Sequence, residues 1–456
     1  ELSIENFMQG PAHVGSSPAG VSWTDDSRWV YFRWAPANGE WDVQSELYRV
    51  PAGGGAPEHI ADPMTADSLG ITFAGGDISP DRRWRATAWR GDLFLVNRSN
   101  LEVRRLTNTR DNKSNPRFSH DGSTLYFTQG GQVHALELET GAVTQLTDIR
   151  AGNAPSERDP EGLAAFLLDQ QTELFEHIRR IQAQRERQQE LAEMRREGEI
   201  QTVFAGRMGN PGNLNVNLQG THVAVQGSQQ AQNTRRVGVP QWITEDGYTA
   251  LNDIRTKVGD GVGTTRLGIH RVGSDAITWL DVQERVQAWA GGEHETVGVF
   301  YPEQREAVAA GEVEVQSVQF RGWNDAGTRG LVVANSFDNK HRWWMTVEAA
   351  TGDLTLLMHL ADSAWVAGPC QQCTGWLPGQ DRAYFASEAT RFAHLYSVNG
   401  DGTDLRQLTS GEWEVHSVSI PEQNDRFILR TNEGTPFEQH MYSMNFDGSN
   451  RTRLTS

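Results

Sequence analysis

Two short groups of residues in this chain have types and spacing that chemistry could use. Cys370-Gln371-Gln372-Cys373 holds the only two cysteines. At that separation two thiols can close a local disulfide, supply half of a zinc site or act as a redox pair. A zinc site needs two further ligands, and although His341, His359 and His394 are near in sequence, none has the spacing of a second pair. A redox pair belongs in a strand-helix-strand setting, which the surrounding pattern lacks. The leading reading is a local disulfide stapling a loop in an oxidising compartment, periplasmic or extracellular. Free thiols are the alternative, with metal or redox roles behind them.

Glu173 and Glu176 form the second group. Three residues apart on a helix they share a face, where a carboxylate pair can receive a cationic amine. Arg179 and Arg180 lie within reach to screen them, so a solvated helix face is the competing reading. A serine nucleophile on a strained strand-to-helix elbow would read Gly-x-Ser-x-Gly, and no such pentapeptide occurs. Gly15-Ser16-Ser17-Pro18-Ala19 comes nearest and fails at its last position. There is no phosphate-cradling Gly-rich loop and no His-Glu-x-x-His helix. The sequence therefore assigns no catalytic residue, no metal ligand and no cofactor within these residues.

The elements that would position any site are short strands. From Trp376 to Val415 the chain reads as a turn at Pro378-Gly379-Gln380-Asp381, a strand at 382–387, a second at 394–398, an Asn399-Gly400-Asp401-Gly402 turn and a third strand ending Leu408-Thr409. The same order recurs from Ser119 to Thr147. Apolar and aromatic residues fall on both faces of these strands, so each sheet must be covered on two sides, and another copy of the same meander supplies the cover. Leu-Thr strand ends at 106–107, 146–147, 408–409 and 454–455 repeat at 40 and 46 residues. Four short strands in a period of about 40 to 50 residues mark a propeller blade. The spacing predicts an all-β protein, a β-propeller of most simply eight four-stranded blades, with seven if a weak blade is over-counted.

The 456 residues are read as one propeller domain, because an evenly repeated pattern argues for a single large ring rather than several domains. Residues 1–18 form an arm without strand pattern. Between blades three and four, 159–197 break the β pattern: Asp159 is a suitable N-cap, Pro160 suits the first helical position, and Leu163, Leu167, Leu174, Ile178 and Ile181 recur at helical spacing. One long inserted helix is expected at about 160–197. Its second half is nearly all Arg, Glu and Gln, so only the first half has an apolar stripe to bury against a second domain or subunit. The formal charge of −18 argues against nucleic acid or an anionic membrane surface as partner. No apolar run reaches the length of a membrane span. The aromatic pairs Trp343-Trp344 and Tyr384-Phe385, and Trp413, read as packing between blades.

Ser387-Glu388, His394-Leu395-Tyr396-Ser397 and the run Gln407 to Val415 resemble the N-terminal propeller of the dipeptidyl peptidase IV branch of the prolyl oligopeptidase family. Glu438 to Ser443 with Leu454-Thr455 looks like the blade that follows there. The specific part of the resemblance is mainly the last 90 or so residues, and the earlier Leu-Thr blades would equally suit TolB-like propellers. The resemblance implies a non-catalytic propeller that gates access of peptides to a C-terminal α/β-hydrolase domain, which these residues do not contain and whose Ser, Asp, His triad would hydrolyse the peptide. It also implies an inserted Glu-Glu pair for the substrate's free amine. No Glu-Glu dipeptide occurs here, and Glu173 and Glu176 occupy about that place. The partners this reading implies are peptide substrates and the hydrolase domain, with a homodimer as a further option. The alternative is a stand-alone TolB-like periplasmic propeller that binds proteins or peptides.

Overall fold

The computed structural model describes residues 3–4, 16–35, 45–73, 75–154, 162–196, 200–206, 211–231, 235–256, 260–293, 302–421 and 425–455. The expected helix start at Asp159 and Pro160 and most of the 1–18 arm lie outside the described residues. Ser16, in the near-miss of a nucleophile elbow, donates its hydroxyl to the Ala35 carbonyl at 3.0 Å, the arrangement of a loop tied to a strand end.

Residues Glu1–Gln145 make one compact unit. It holds three four-stranded antiparallel sheets at 19–59, 77–105 and 113–145, each with its strands in sequence order. Their opening turns share one device. Thr24, Ser79 and Ser119 each donate a hydroxyl to the aspartate two residues on, at 2.5–2.6 Å, and each hydroxyl oxygen accepts the backbone N–H of the residue five positions ahead. The side chains thus satisfy backbone groups that a turn leaves unpaired. The hydroxyl and N–H donors on Asp121, chiefly Ser119, lower its carboxyl pKa to about 2.

The second unit, Leu146–Ser456, begins with a short parallel pair, Asp148–Arg150 beside Thr202–Phe204. Thr202 donates its hydroxyl to Asp148, so the excursion between them leaves and returns at one place. Within it lie two helices, Leu163–Leu174 and Glu176–Arg196, separated at Phe175 by an extended backbone of φ −125 and ψ 104. The inserted helical stretch is present as a broken pair.

Blade four shows why the count is seven. Its sheet takes Pro211–Val216 and His222–Gln229, then Thr264–Arg271 and Ile277–Trp279, with the hairpin Arg236–Gln241 and Ala250–Thr256 standing between its second and third strands. Val223, Ala224 and Val225 are all buried, so their backbone N–H and C=O groups need partners along both edges of the strand. Val216 and His270 flank Val223 on either side. The hairpin strands are exposed along nearly their whole length and cannot serve that purpose. Two half-blades that are far apart in sequence therefore fuse into one. Blades five, six and seven follow at 315–361, 374–407 and 415–453, and the described residues carry seven four-stranded blades of an all-β β-propeller fold. A helix at Val282–Ala288, capped by Asp281, and another at Pro302–Ala309 precede blade five.

The Leu-Thr strand ends have a physical cause. Thr107, Thr409 and Thr455 accept, through Oγ1, the backbone N–H of Leu93, Leu395 and Met441 at 2.9–3.0 Å, at the start of the neighbouring third strand. Thr409 is buried and also meets His394 Nδ1 at 3.1 Å. Replacing Thr409 by Val keeps its shape but strands the Leu395 N–H and the imidazole. The variant T409V is expected to lose about 1–3 kcal/mol of stability by chemical denaturation, and T409S much less. Equal midpoints for the two variants would contradict this role of the hydroxyl.

Candidate functional site

Blade five carries a cationic pocket of about 620 Å³. Its floor is built across three strands. Ser317 on Val315–Trp323 lies opposite Asn335 on Arg329–Ser336, and Asn335 lies opposite Arg342 on His341–Glu348. The register makes a row of side chains: Asn335 Nδ2 donates to Ser317 Oγ at 3.1 Å, and Arg342 Nε donates to Asn335 Oδ1 at 2.9 Å. Arg342 Nη2 then donates to Gln371 Oε1 at 3.1 Å. Every acceptor in this row is neutral.

Arg321 is the second cation. It shares a strand with Gln319, to whose Oε1 its Nη2 donates at 2.7 Å. The register of this strand shifts between Phe320 and Gly322, and such a bulge re-aims the side chains beside it. Arg321 Nε is buried without a hydrogen-bond partner. Among the described residues neither guanidinium has a carboxylate within ion-pair distance. Burial pushes both pKa values below the usual arginine range, and the nearby Arg321 charge lowers Arg342 further, partly opposed by Glu388. Both remain cations at neutral pH. Glu388 is itself raised by burial and accepts the Ala367 N–H at 3.1 Å. Asp338, the one acid lining the pocket, has its Oδ1 taken by the Ser336 hydroxyl at 2.6 Å and the Lys340 N–H at 3.0 Å.

The cysteines meet this pocket. Cys370 and Cys373 are joined by a disulfide, with Cα atoms 5.2 Å apart and the Cys373 N–H donating to the Cys370 carbonyl at 2.9 Å. The tight turn they close presents Gln371 and Gln372 to the pocket, and Gln371 is the residue that holds Arg342. Glu173 ends one helix as its penultimate residue and Glu176 starts the next, so no continuous helix spans the pair, and their side chains lie outside the described residues. Sequence reading missed Arg321, Asn335 and Arg342. The signal was a charged residue inside the otherwise apolar strand Arg342-Trp343-Trp344-Met345 and the polar alternation Ser317, Gln319, Arg321.

The cavity of about 670 Å³ beside Leu377 and Phe446 contains Arg382 and Arg406, and both pair with Asp404. Among the described residues no group of three or more His, Cys, Asp or Glu is arranged to hold a metal ion, and no helix is long and apolar enough to cross a membrane.

Comparison with known proteins bears on the same blades. Residues 305–456 match the family model of the dipeptidyl peptidase IV (DPP IV) N-terminal region. The resemblance read from the sequence holds over these residues, which contain blades five to seven and the pocket. Among solved structures, the dipeptidyl peptidase 4 of Porphyromonas gingivalis is 13% identical with a TM-score of 0.51, over 100% of this chain and 55% of that one. A Bacteroides ovatus protein described as a dipeptidyl aminopeptidase IV is 13% identical with a TM-score of 0.47, over 96% of this chain and 52% of that one. At that identity the Porphyromonas likeness shows the fold. The chain spans about half the length of these structures.

Two histidines lie together inside the blade, and one of them, His341, lines the pocket. His341 Nδ1 and His359 Nε2 are 3.1 Å apart, and both rings stack on Trp343. Burial lowers both, His359 to about 3. A histidine held neutral in the fold but free to protonate when unfolded removes stability as pH falls through its ordinary 6.5 and continues to do so until about 3. Thermal melts between pH 7.5 and pH 5 should therefore fall less steeply for His359→Gln than for the unaltered chain. Equal slopes would show that the pair is not the source.

Proposed function

We propose that this chain is the propeller part of a DPP-IV-like serine peptidase, a non-catalytic module that admits and holds peptide segments before a hydrolase domain carried elsewhere in the parent protein. The match of residues 305–456 to the DPP IV N-terminal region carries this reading. It is supported by a fold neighbour nearly twice as long that bears the name dipeptidyl peptidase 4, and by the absence of a serine elbow from the sequence. Peptide hydrolysis through an acyl-enzyme, with its oxyanion hole, would then be performed by residues outside this chain. The propeller contributes selection of what enters. The Cys370–Cys373 disulfide favours a periplasmic or extracellular setting.

Fluorophosphonate labelling of the natural gene product, read by intact mass, tests the reading. A labelled species well above 50.7 kDa is expected. An unlabelled product of that mass would replace the peptidase reading with that of a stand-alone binding propeller.

For the homodimer that the sequence reading allows, we propose the hairpin inserted in blade four as the contact surface. Trp242, Ile243, Tyr248 and Leu251 on it are 74%, 89%, 78% and 73% exposed, an apolar group of a kind that marks interaction sites. Native mass measurement is expected to find two chains per particle, and one after the double change Trp242→Asp with Ile243→Asp. An unchanged dimer in the double variant would move the interface elsewhere.

A further inference from the structure

We propose that the blade-five pocket binds a carboxylate of a peptide, held between Arg321 and Arg342. This rests on the peptide-holding reading above and adds which peptides are held. Buried charges are ordinarily paired, because taking a guanidinium out of water costs several kcal/mol that only a close counter-charge and full hydrogen bonding restore. Here two guanidiniums that feel one another share only neutral amide acceptors, and Arg321 Nε, buried, donates to nothing. Two cations held on fixed partners, with the Arg321 Nε donor left over, are pre-organised for an anion. A carboxylate uses the forked N–H pairs of arginine directly.

The charge of the lining selects the anion. Arg321 and Arg342 contribute two positive charges and Asp338 one negative, and Asp338 is already engaged by its own turn. One negative charge brings the pocket to neutrality. A phosphate dianion would overshoot this balance and would sit near Asp338. The cavity, about 620 Å³, has room for a side chain with adjoining backbone. Trp365, 66% exposed at the rim, gives the peptide an apolar surface to lie on, and Gln371 and Gln372 offer amides for its backbone. The carboxylate is that of an Asp or Glu side chain or of a peptide C-terminus, and the two are distinguished by experiment.

Three dye-labelled hexapeptides serve as probes on the full chain by fluorescence polarisation: a C-terminally amidated peptide with one internal Glu, the same peptide with Gln and a free C-terminus, and the amidated Gln peptide. The proposal expects at least one of the first two to bind about tenfold tighter than the third. Tighter binding of the first assigns a side-chain carboxylate, and tighter binding of the second a C-terminal one. In Arg321→Gln, the preference should vanish while binding of the neutral peptide persists, and the unligated variant should melt no lower than the unaltered chain because a like-charge neighbour is gone. Arg342→Lys, which keeps the charge but loses the fork, should weaken the preference in the same direction. If these variants do not fold, the unaltered chain decides: the preferred acidic peptide should raise its melting temperature more than the neutral one. Equal affinity for all three peptides, or a preference unchanged in the Arg321→Gln variant, overturns the carboxylate proposal and leaves the peptide-holding reading standing. No binding of any peptide overturns both.

Discussion

Trp343, Trp344 and Met345 are consecutive on one strand and none is more than 1% exposed. Successive side chains on a strand point to opposite faces, so a run of this kind can exist only if the sheet is covered on both sides. Trp344 stacks on Phe385 of blade six with ring centroids 4.7 Å apart, and Trp343 joins the core that includes Val282, Val286 and Trp289 ahead of blade five. Blade six repeats the arrangement toward blade seven, where Tyr384 meets Phe427 edge-on at 5.3 Å. Trp413 packs between His394 of blade six and Arg451 of blade seven. Double-sided burial forces repetition within this unit, and it places Arg342 in the same interior strand, immediately before the tryptophans.

That position is what makes the pocket unusual. A charged residue in such a strand is normally matched, as Arg85 on Trp84–Trp89 is by Asp25 in the first unit. Arg342 instead has a cross-strand asparagine and a glutamine from the disulfide turn. The disulfide and the charge row thus belong to one construction: the turn that Cys370 and Cys373 close supplies the amide that fixes the guanidinium. The match to the DPP IV N-terminal region covers all of these residues, although a family match describes the blades and not this row of side chains.

The blades were readable because their signals are local. Hydroxyl-to-aspartate turns and threonine hydroxyls on a neighbouring strand each involve residues close in sequence, and they recur wherever the same backbone must be closed. Blade four was not readable in the same way. Its second and third strands pair residues 222–229 with 264–271 across an inserted hairpin, and no periodicity in either segment announces that partner. The helix break at Phe175 is equally silent, since apolar spacing continues on both sides of it. The cysteine pair was visible, but its place beside Arg342 depends on the connection between two blades. Arg321 itself is ordinary in sequence and becomes notable only through the bulge in its strand and the missing partner at its Nε.

Arg321 Nε is a buried donor without a protein partner, beside a pocket proposed to take a carboxylate. The most direct measurement is arginine Nε–Hε NMR of the full chain, with Arg321→Lys to assign the resonance and the amidated Glu and free-carboxylate Gln peptides each titrated against the amidated Gln peptide. The account predicts that the Arg321 signal shifts with at least one carboxylate peptide and stays in place with the neutral one. A signal that moves equally with all three, or with none while peptide binding is seen by other means, would contradict it.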